Sequence, residues 1–227
     1  VHRLQRKEIS VNRPWKAVLF DLDGTLMDTL PDVGRCIALA LAVNGLEAEP
    51  WQNYRKIIGG GIKQELSQIV PRCCIDRVMA YYTRAYELGC MIYSAPYPRA
   101  NCCLEALRHS GFRLGVITNK RDINAKKIMA QYFPNIHMEF VWGRSEQRPM
   151  KPDPASGYEA CRILQLEPEE ILFVGDDPET DIAFAKKMGF SSAGAAWGYR
   201  GRKKLEKSKP NFIADSFDFL TKWILED

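Results

Sequence analysis

The 227-residue chain has little of what would mark a metal finger, a disulfide scaffold or a membrane protein. It has three histidines, His2, His109 and His137, and none stands at a ligand spacing such as HxxxH. No CxxC pair occurs, and the seven cysteines are odd in number and include the adjacent pairs Cys73–Cys74 and Cys102–Cys103. Those absences argue against a zinc site and against a disulfide framework; reduced thiols fit a reducing compartment. No apolar run approaches the ~18–20 residues that cross a bilayer. The basic N-terminal stretch is followed by no apolar segment, so it does not read as a secretory signal. No membrane association and a cytoplasmic location are the expectation.

Excess positive charge is also small once it is located. Of the net +4 at pH 7, three charges sit in residues 1–14, where Arg3, Arg6, Lys7 and Arg13 face only Glu8. A second basic cluster runs from Arg200 to Lys209. Neither cluster has an aromatic stacking platform or a nucleic-acid motif beside it, so no nucleic-acid partner is expected. No internal repeat or low-complexity segment is present. Trp15, Trp51, Trp142, Trp197 and Trp223 are expected to pack in the core or at its edge.

What is present is an ordinary globular composition, 46% hydrophobic and 26% charged. Short apolar runs alternate with helical patterns. Residues 16–21, 113–119, 140–143 and 170–176 read as buried parallel strands, 212–215 as a short one and 192–197 as a weaker one. Between them Ala100, Cys103, Leu104 and Leu107 follow helical spacing, with Gly111 as a stop. Asp122 is expected to cap one later helix and Thr180 another that begins at Asp181. The alternation predicts an α/β fold, a Rossmann-like, doubly wound parallel-sheet core. From about Pro31 to Ala95 the pattern is helical throughout. The expected organisation is a basic extension at 1–14, a core made of 15–30 plus 97–227, and an inserted helical cap domain at 31–96.

Polar and acidic residues stand at the ends of the strongest strands: Asp21 and Asp23, then Thr118 and Asn119, then Asp176 and Asp177. In open α/β sheets those ends converge on the ligand crevice. Clustered carboxylates repel, and a hard divalent cation with oxygen ligands compensates; Mg2+ is the leading candidate because it shares its shell between carboxylates, waters and phosphate. Each feature alone has a plainer reading. DLDGT could be a strand and an Asp/Gly turn, and GDDPETD an acidic helix start.

FDLDGTLMDT (20–29), VITN (116–119), MKPDP (150–154) and VGDDPETD (174–181) resemble, in order, the four motifs of the haloacid dehalogenase superfamily. The stretches YPRANCCLEALRHSGFRLGVITNK, DIAFAKKMGF and WGYR (197–200) resemble its phosphoglycolate phosphatase branch. The resemblance runs from about Trp15 to the C-terminus. It implies a nucleophile at Asp21, an acid–base at Asp23, phosphate contacts from Thr118 and the Asn119 backbone, and a charge-balancing Lys151. It also implies Mg2+ on Asp21, the Asp23 carbonyl and Asp176, with Asp181 in support. The motif spacing leaves Asp177 as the alternative ligand; Asp176 is favoured because it directly follows Gly175. IIGGGIKQEL resembles a cap loop that dips into the active site, so Gly59, Gly60, Gly61 and Lys63 are candidate substrate contacts, with a plain turn as the alternative.

The implied activity is hydrolysis of a small phosphorylated metabolite, 2-phosphoglycolate favoured. Inorganic pyrophosphatase, a sugar-phosphate hydrolase or mutase, and a weakly active regulatory binding protein are the alternatives. Monomer or homodimer stays open.

Overall fold

The computed structural model describes residues 14–89 and 91–226. The basic extension, apart from Pro14, lies outside the described residues. In chain order the elements are β1 (Ala17–Phe20), β2 (Met27–Asp28), α1 (Leu30–Val43), α2 (Ile62–Leu66), α3 (Ile75–Gly89), β3 (Ala95–Pro96), α4 (Ala100–His109) and β4 (Arg113–Arg121). There follow α5 (Asp122–Tyr132), β5 (Phe140–Arg144), α6 (Ala155–Leu164), β6 (Ile171–Gly175), α7 (Ala183–Met188), β7 (Ser191–Ala195), α8 (Arg202–Ser208), β8 (Phe212–Ala214) and α9 (Phe217–Glu226).

Six strands form one parallel sheet in the order β5-β4-β1-β6-β7-β8. The central strand shows why. Ala17, Val18, Leu19 and Phe20 are all fully buried, which suits a strand covered by helices on both faces. Successive side chains point to opposite faces. Val18 and Phe20 join one apolar cluster with Leu104, Leu107, Ile128 and Leu220 from α4, α5 and α9. Ala17 and Leu19 join another with Ala160, Leu164, Phe184 and Met188 from α6 and α7. Each fully buried Phe or Leu contributes about 1.5–3 kcal/mol relative to exposure. All six strands expected from the sequence are present, the weak one at 192–197 as β7.

The topology reverses at β1. The chain moves outward through β4 and β5, then crosses back to the other side of β1 for β6, β7 and β8. The carboxyl ends of β1, β4 and β6 therefore flank the switch point, where doubly wound sheets open their ligand crevice.

Helices α1 to α3 enclose a second apolar cluster, with Val33, Ile37, Leu41, Leu66, Val78 and Tyr82 among its members. Pro31 opens α1, where its missing N–H is no loss. Asp32 in the same first turn accepts from the Tyr93 and Ser94 backbone N–H groups and the Ser94 hydroxyl, tying the returning chain to the outgoing one. The antiparallel β2–β3 ladder pairs Met27 with Pro96 and Asp28 with Ala95, so the chain leaves and re-enters the core side by side. The apolar spacing at 62–70 becomes helix only over Ile62–Leu66; the remainder is turn.

Both expected helix caps need correction. Asp122 is the first residue inside α5, preceded by Arg121; its carboxylate accepts from Gly143 N–H at 3.0 Å and pairs with Lys126 at 2.6 Å. Ahead of α7 the cap is Asp177, which accepts from Glu179 N–H (2.8 Å) and Thr180 N–H (3.3 Å) and leads a single wide turn, Pro178–Ile182. Thr180 lies within that turn.

Candidate active site

At the end of β1 the chain turns sharply. Gly24 N–H donates to the Met27 carbonyl, and Gly24 holds φ +84. A Cβ there would sit 2.7 Å from the Asp176 carboxylate oxygens, so the position is closed to larger residues by conformation and by space. The turn leaves Asp21 and Asp23 at the crevice. Asp21 is 7% exposed, and Lys151 Nζ donates to its Oδ1 at 2.7 Å. The same ammonium donates to Asp181 Oδ1 at 2.7 Å. Lys151 is itself positioned by Asn119, whose Oδ1 accepts from Lys151 N–H at 2.7 Å and whose Nδ2 donates to the Lys151 carbonyl at 3.1 Å. Thr118, buried at the same strand end, accepts from Lys120 N–H at 3.3 Å.

Asp176 and Asp181 complete the floor. One carboxylate oxygen from each of Asp21, Asp176 and Asp181 lies within 4.8 Å of the others. Asp176 accepts from Tyr199 N–H at 2.7 Å and from the Thr25 hydroxyl at 3.4 Å. Asp181 accepts from Asp177 N–H at 3.0 Å. Asp177 lines the same cavity, but both its oxygens are engaged: Arg200 Nε donates to its Oδ2 at 2.7 Å, while its Oδ1 caps the following turn.

The electrostatics follow from the crowding. Burial pushes the Asp21 carboxyl up from 3.8 to about 7; Lys151 pulls it down and Asp181 pushes it up. Burial, then Asp181, Asp21 and Asp177, hold Asp176 well above the usual carboxylate range. For Lys151 burial lowers the ammonium's pKa, but Asp181 and Asp21 outweigh it and leave it raised. A floor of buried carboxylate oxygens with one ammonium among them is short of positive charge. Its donors are all hard oxygens, the set a magnesium ion takes. The residues fit the ion.

Asp23, two residues beyond Asp21, accepts from Lys120 Nζ at 2.9 and 3.1 Å and from the Thr29 hydroxyl at 2.5 Å. Lys120 and Thr29 were not singled out from the sequence, although Lys120 directly follows the VITN motif. Tyr199 was noticed only within WGYR; its hydroxyl accepts from the N–H groups of Thr29 and Leu30 at 2.9 and 3.0 Å, joining the core to the start of α1. Arg200 reaches the helical unit through the carbonyls of Arg55 (3.0 Å) and Ile58 (2.6 Å). Arg55 reaches back to the carbonyls of Tyr199 (3.0 Å) and Gly198 (2.5 Å).

The roof of the cavity comes from the glycine loop and α3. Gly59 and Gly61 line the cavity beside Asp21 and Thr118, whereas Gly60 lines a separate recess. The backbone N–H groups of Gly59, Gly60 and Gly61 converge on one oxygen, Glu65 Oε1, at 2.5, 2.7 and 3.0 Å. The donors expected to meet a substrate anion are thus taken by a carboxylate of the same chain. Lys63 needs correction: its amine is exposed and pairs with Asp76 at 3.2 Å, and it does not line the cavity. Glu65, missed from the sequence, is 3% exposed and its carboxyl is pushed by burial up to about 7, against the three N–H groups that lower it.

A family model of haloacid dehalogenase-like hydrolases matches residues 15–189. The chain belongs to that family. Phosphoglycolate phosphatase of Aquifex aeolicus is 33% identical over 197 residues, 87% of this chain and 91% of that one. Phosphoglycolate phosphatase of Haemophilus influenzae is 29% identical over 91% of this chain and 97% of its own length. A solved structure from Haemophilus somnus, described as a predicted phosphoglycolate phosphatase, superposes with TM-score 0.85 at 28% identity, covering 93% of this chain and 98% of the other. One from Lactobacillus delbrueckii shares the fold at TM-score 0.87 and 22% identity, covering 94% and 99%. The chain is a hydrolase of the phosphoric monoester class, a phosphatase in kind. No helix among the described residues is long and apolar enough to cross a membrane.

Proposed function

We propose that the chain is a magnesium-dependent phosphatase that hydrolyses a small phosphorylated metabolite, 2-phosphoglycolate foremost, through an aspartyl-phosphate on Asp21. The observation that carries this reading is the Asp21–Lys151–Asp181–Asp176 cluster at the sheet's switch point, with a second carboxylate, Asp23, two residues beyond the first.

In the first half-reaction an Asp21 carboxylate oxygen attacks phosphorus and the bond from phosphorus to the leaving oxygen breaks. Asp23 gives its proton to that oxygen, releasing the alcohol. In the second, Asp23 takes a proton from water, the water oxygen attacks phosphorus, and the bond to Asp21 breaks to free phosphate. Thr118 and the Asn119 backbone hold phosphoryl oxygens, and the Lys151 ammonium offsets their charge. Lys120 and Thr29 fix the rotamer of Asp23, so the acid–base group keeps its aim through both steps. Asp21, Asp176 and the Asp23 backbone carbonyl would hold magnesium, with Asp181 ordering Lys151. When bound there, magnesium would supply positive charge that keeps the crowded carboxylates ionised and offsets the charge of the phosphoryl group. Helices α1 to α3 act as a cap that excludes bulk water during transfer. The Aquifex and Haemophilus relatives, both phosphoglycolate phosphatases, favour 2-phosphoglycolate among small esters.

The test is phosphate release from a panel of small esters with magnesium and with chelator. A brief incubation quenched in acid should leave a phosphoryl increment on the peptide bearing Asp21. Hydrolysis that survives chelation, or an increment on another residue, overturns the mechanism.

A further inference from the structure

Beside the cavity over Asp21, and sharing lining residues with it, lies a recess of about 260 Å³. Tyr82, Tyr86, Asn124 and Arg144 line both spaces, and Asn124 and Arg144 line the same cavity as Asp21. The site described so far uses none of its polar groups.

Two of them lack the partners their chemistry calls for. Asn124 is 4% exposed, and its Oδ1 is buried with no hydrogen-bond donor. Leaving such an acceptor unsatisfied costs about 1–3 kcal/mol. Arg144 ends β5 in register with Arg121 at the end of β4, which sets two guanidinium-bearing residues side by side. Like charges in that position are destabilising. Arg121 is compensated by Glu87 of α3 at 3.0 Å. Arg144 has no ion pair among the described residues. The recess thus holds a cation without an ion pair and an unfilled acceptor, both on the wall of the cavity that contains Asp21. Arg121 lies three residues beyond Thr118 on β4, about 10 Å along the strand, so this charge is separate from the one that meets the transferred phosphate.

We propose that this recess is a leaving-group subsite for a second oxyanion, with Arg144 binding a carboxylate or phosphate at the far end of the ester and Asn124 Oδ1 accepting from a hydroxyl of its carbon chain. The proposal rests on the phosphatase reading and names the substrate class within it: phosphate monoesters whose alcohol portion carries its own negative charge. The Gly59–Gly61 cradle does not serve that charge, because Glu65 fills it.

The experiment compares wild type, Arg144→Gln, Arg144→Lys and Asn124→Leu on four esters with magnesium. They are 2-phosphoglycolate, 3-phosphoglycerate, a hexose bisphosphate and the tail-neutral p-nitrophenyl phosphate. Arg144→Gln should lower kcat/KM for the anionic-tailed esters at least about tenfold relative to p-nitrophenyl phosphate, through KM, as the loss of a charged hydrogen bond predicts. Arg144→Lys should retain more of the preference than Arg144→Gln. Whichever anionic ester suffers most identifies the tail as carboxylate or phosphate. Asn124→Leu should penalise 3-phosphoglycerate more than 2-phosphoglycolate, which has no free hydroxyl. An unaltered ratio between charged and neutral esters in Arg144→Gln overturns the subsite. In parallel, titration calorimetry follows 3-phosphonopropionate, with methylphosphonate as the tail-less control. Tighter binding of the tailed phosphonate by wild type, lost in Arg144→Gln, supports the subsite, and equal affinities for both phosphonates sink it. If wild type hydrolyses none of the esters, the phosphatase reading fails and the phosphonate titration alone judges the recess.

Discussion

Replacing Glu65 by Gln should make the protein more stable at alkaline pH, although it removes a charge that accepts three hydrogen bonds. Gly59, Gly60 and Gly61 all donate to Oε1, and a glutamine can present a carbonyl oxygen in the same place. What changes is the charge. Burial raises the Glu65 carboxyl from 4.5 to about 7 in the folded protein. Below about pH 4.5 the group is protonated in both folded and unfolded chains, and its contribution to stability is fully present. As pH rises from about 4.5 to about 7 the unfolded chain releases its proton first, so this contribution is lost across that window. The difference corresponds to roughly 3 kcal/mol at pH 8. Glu65→Gln has no proton to lose and escapes the penalty. Urea unfolding of both proteins at pH 4.5, 6 and 8, with magnesium constant, measures it. The variant should gain on wild type by about 1–3 kcal/mol between the acidic and alkaline ends. Parallel pH profiles for the two proteins would refute the reasoning, because the buried carboxyl would then titrate normally.

The remaining expectations concern the crevice. Asp21→Asn should abolish turnover while the circular dichroism spectrum and unfolding midpoint stay near wild type; near-normal hydrolysis would remove Asp21 as nucleophile. Asp23→Asn should cost at least ~10²-fold in kcat, the lower end for lost acid–base assistance, read from steady-state kinetics. Asp176→Ala should raise the magnesium concentration needed for half-maximal rate far more than Asp177→Ala, because Asp177 is engaged by Arg200 and the following turn; the reverse order would exchange their roles. Gly24→Ala should weaken magnesium activation and lower the unfolding midpoint, since its methyl meets the Asp176 carboxylate at a left-handed φ; an unchanged magnesium titration would contradict that packing.

The sheet was legible because strands buried on both faces appear as unbroken apolar runs, and AVLF and ILFVG have no other reading at those lengths. The acidic strand ends were legible for a related reason: several carboxylates at the ends of neighbouring parallel strands must converge. Contacts made across long chain separations were not. Glu65 meets glycines only a few residues away, yet nothing in IIGGGIKQEL tells which of its polar side chains turns inward; α2 carries Glu65 in and Lys63 out. The Thr180 cap was a local misjudgement with a visible remedy. Pro178 suits the first position of a helical turn, which points to Asp177 before it. Nothing in the sequence distinguishes Arg144 at a strand end from any solvated arginine, and only the register places it beside Arg121.

The two-residue ladder between Met27–Asp28 and Ala95–Pro96 has a consequence for ancestry and engineering. Because the outgoing and returning chains are already clasped beside the catalytic turn, the sheet meets everything between them as one surface loop. Lengthening or exchanging such a loop adds little closure entropy, about 0.6 kcal/mol per doubling of its length. The segment from Leu30 to Ser94 could therefore be excised and another module grafted onto the same pair of stubs, while Asp21, Lys151 and Asp176 stayed in register. In a molecule built this way the reactive chemistry and the Asn124–Arg144 side of the recess are inherited through the sheet, and the facing side, with Tyr82 and Tyr86, can be traded with the graft.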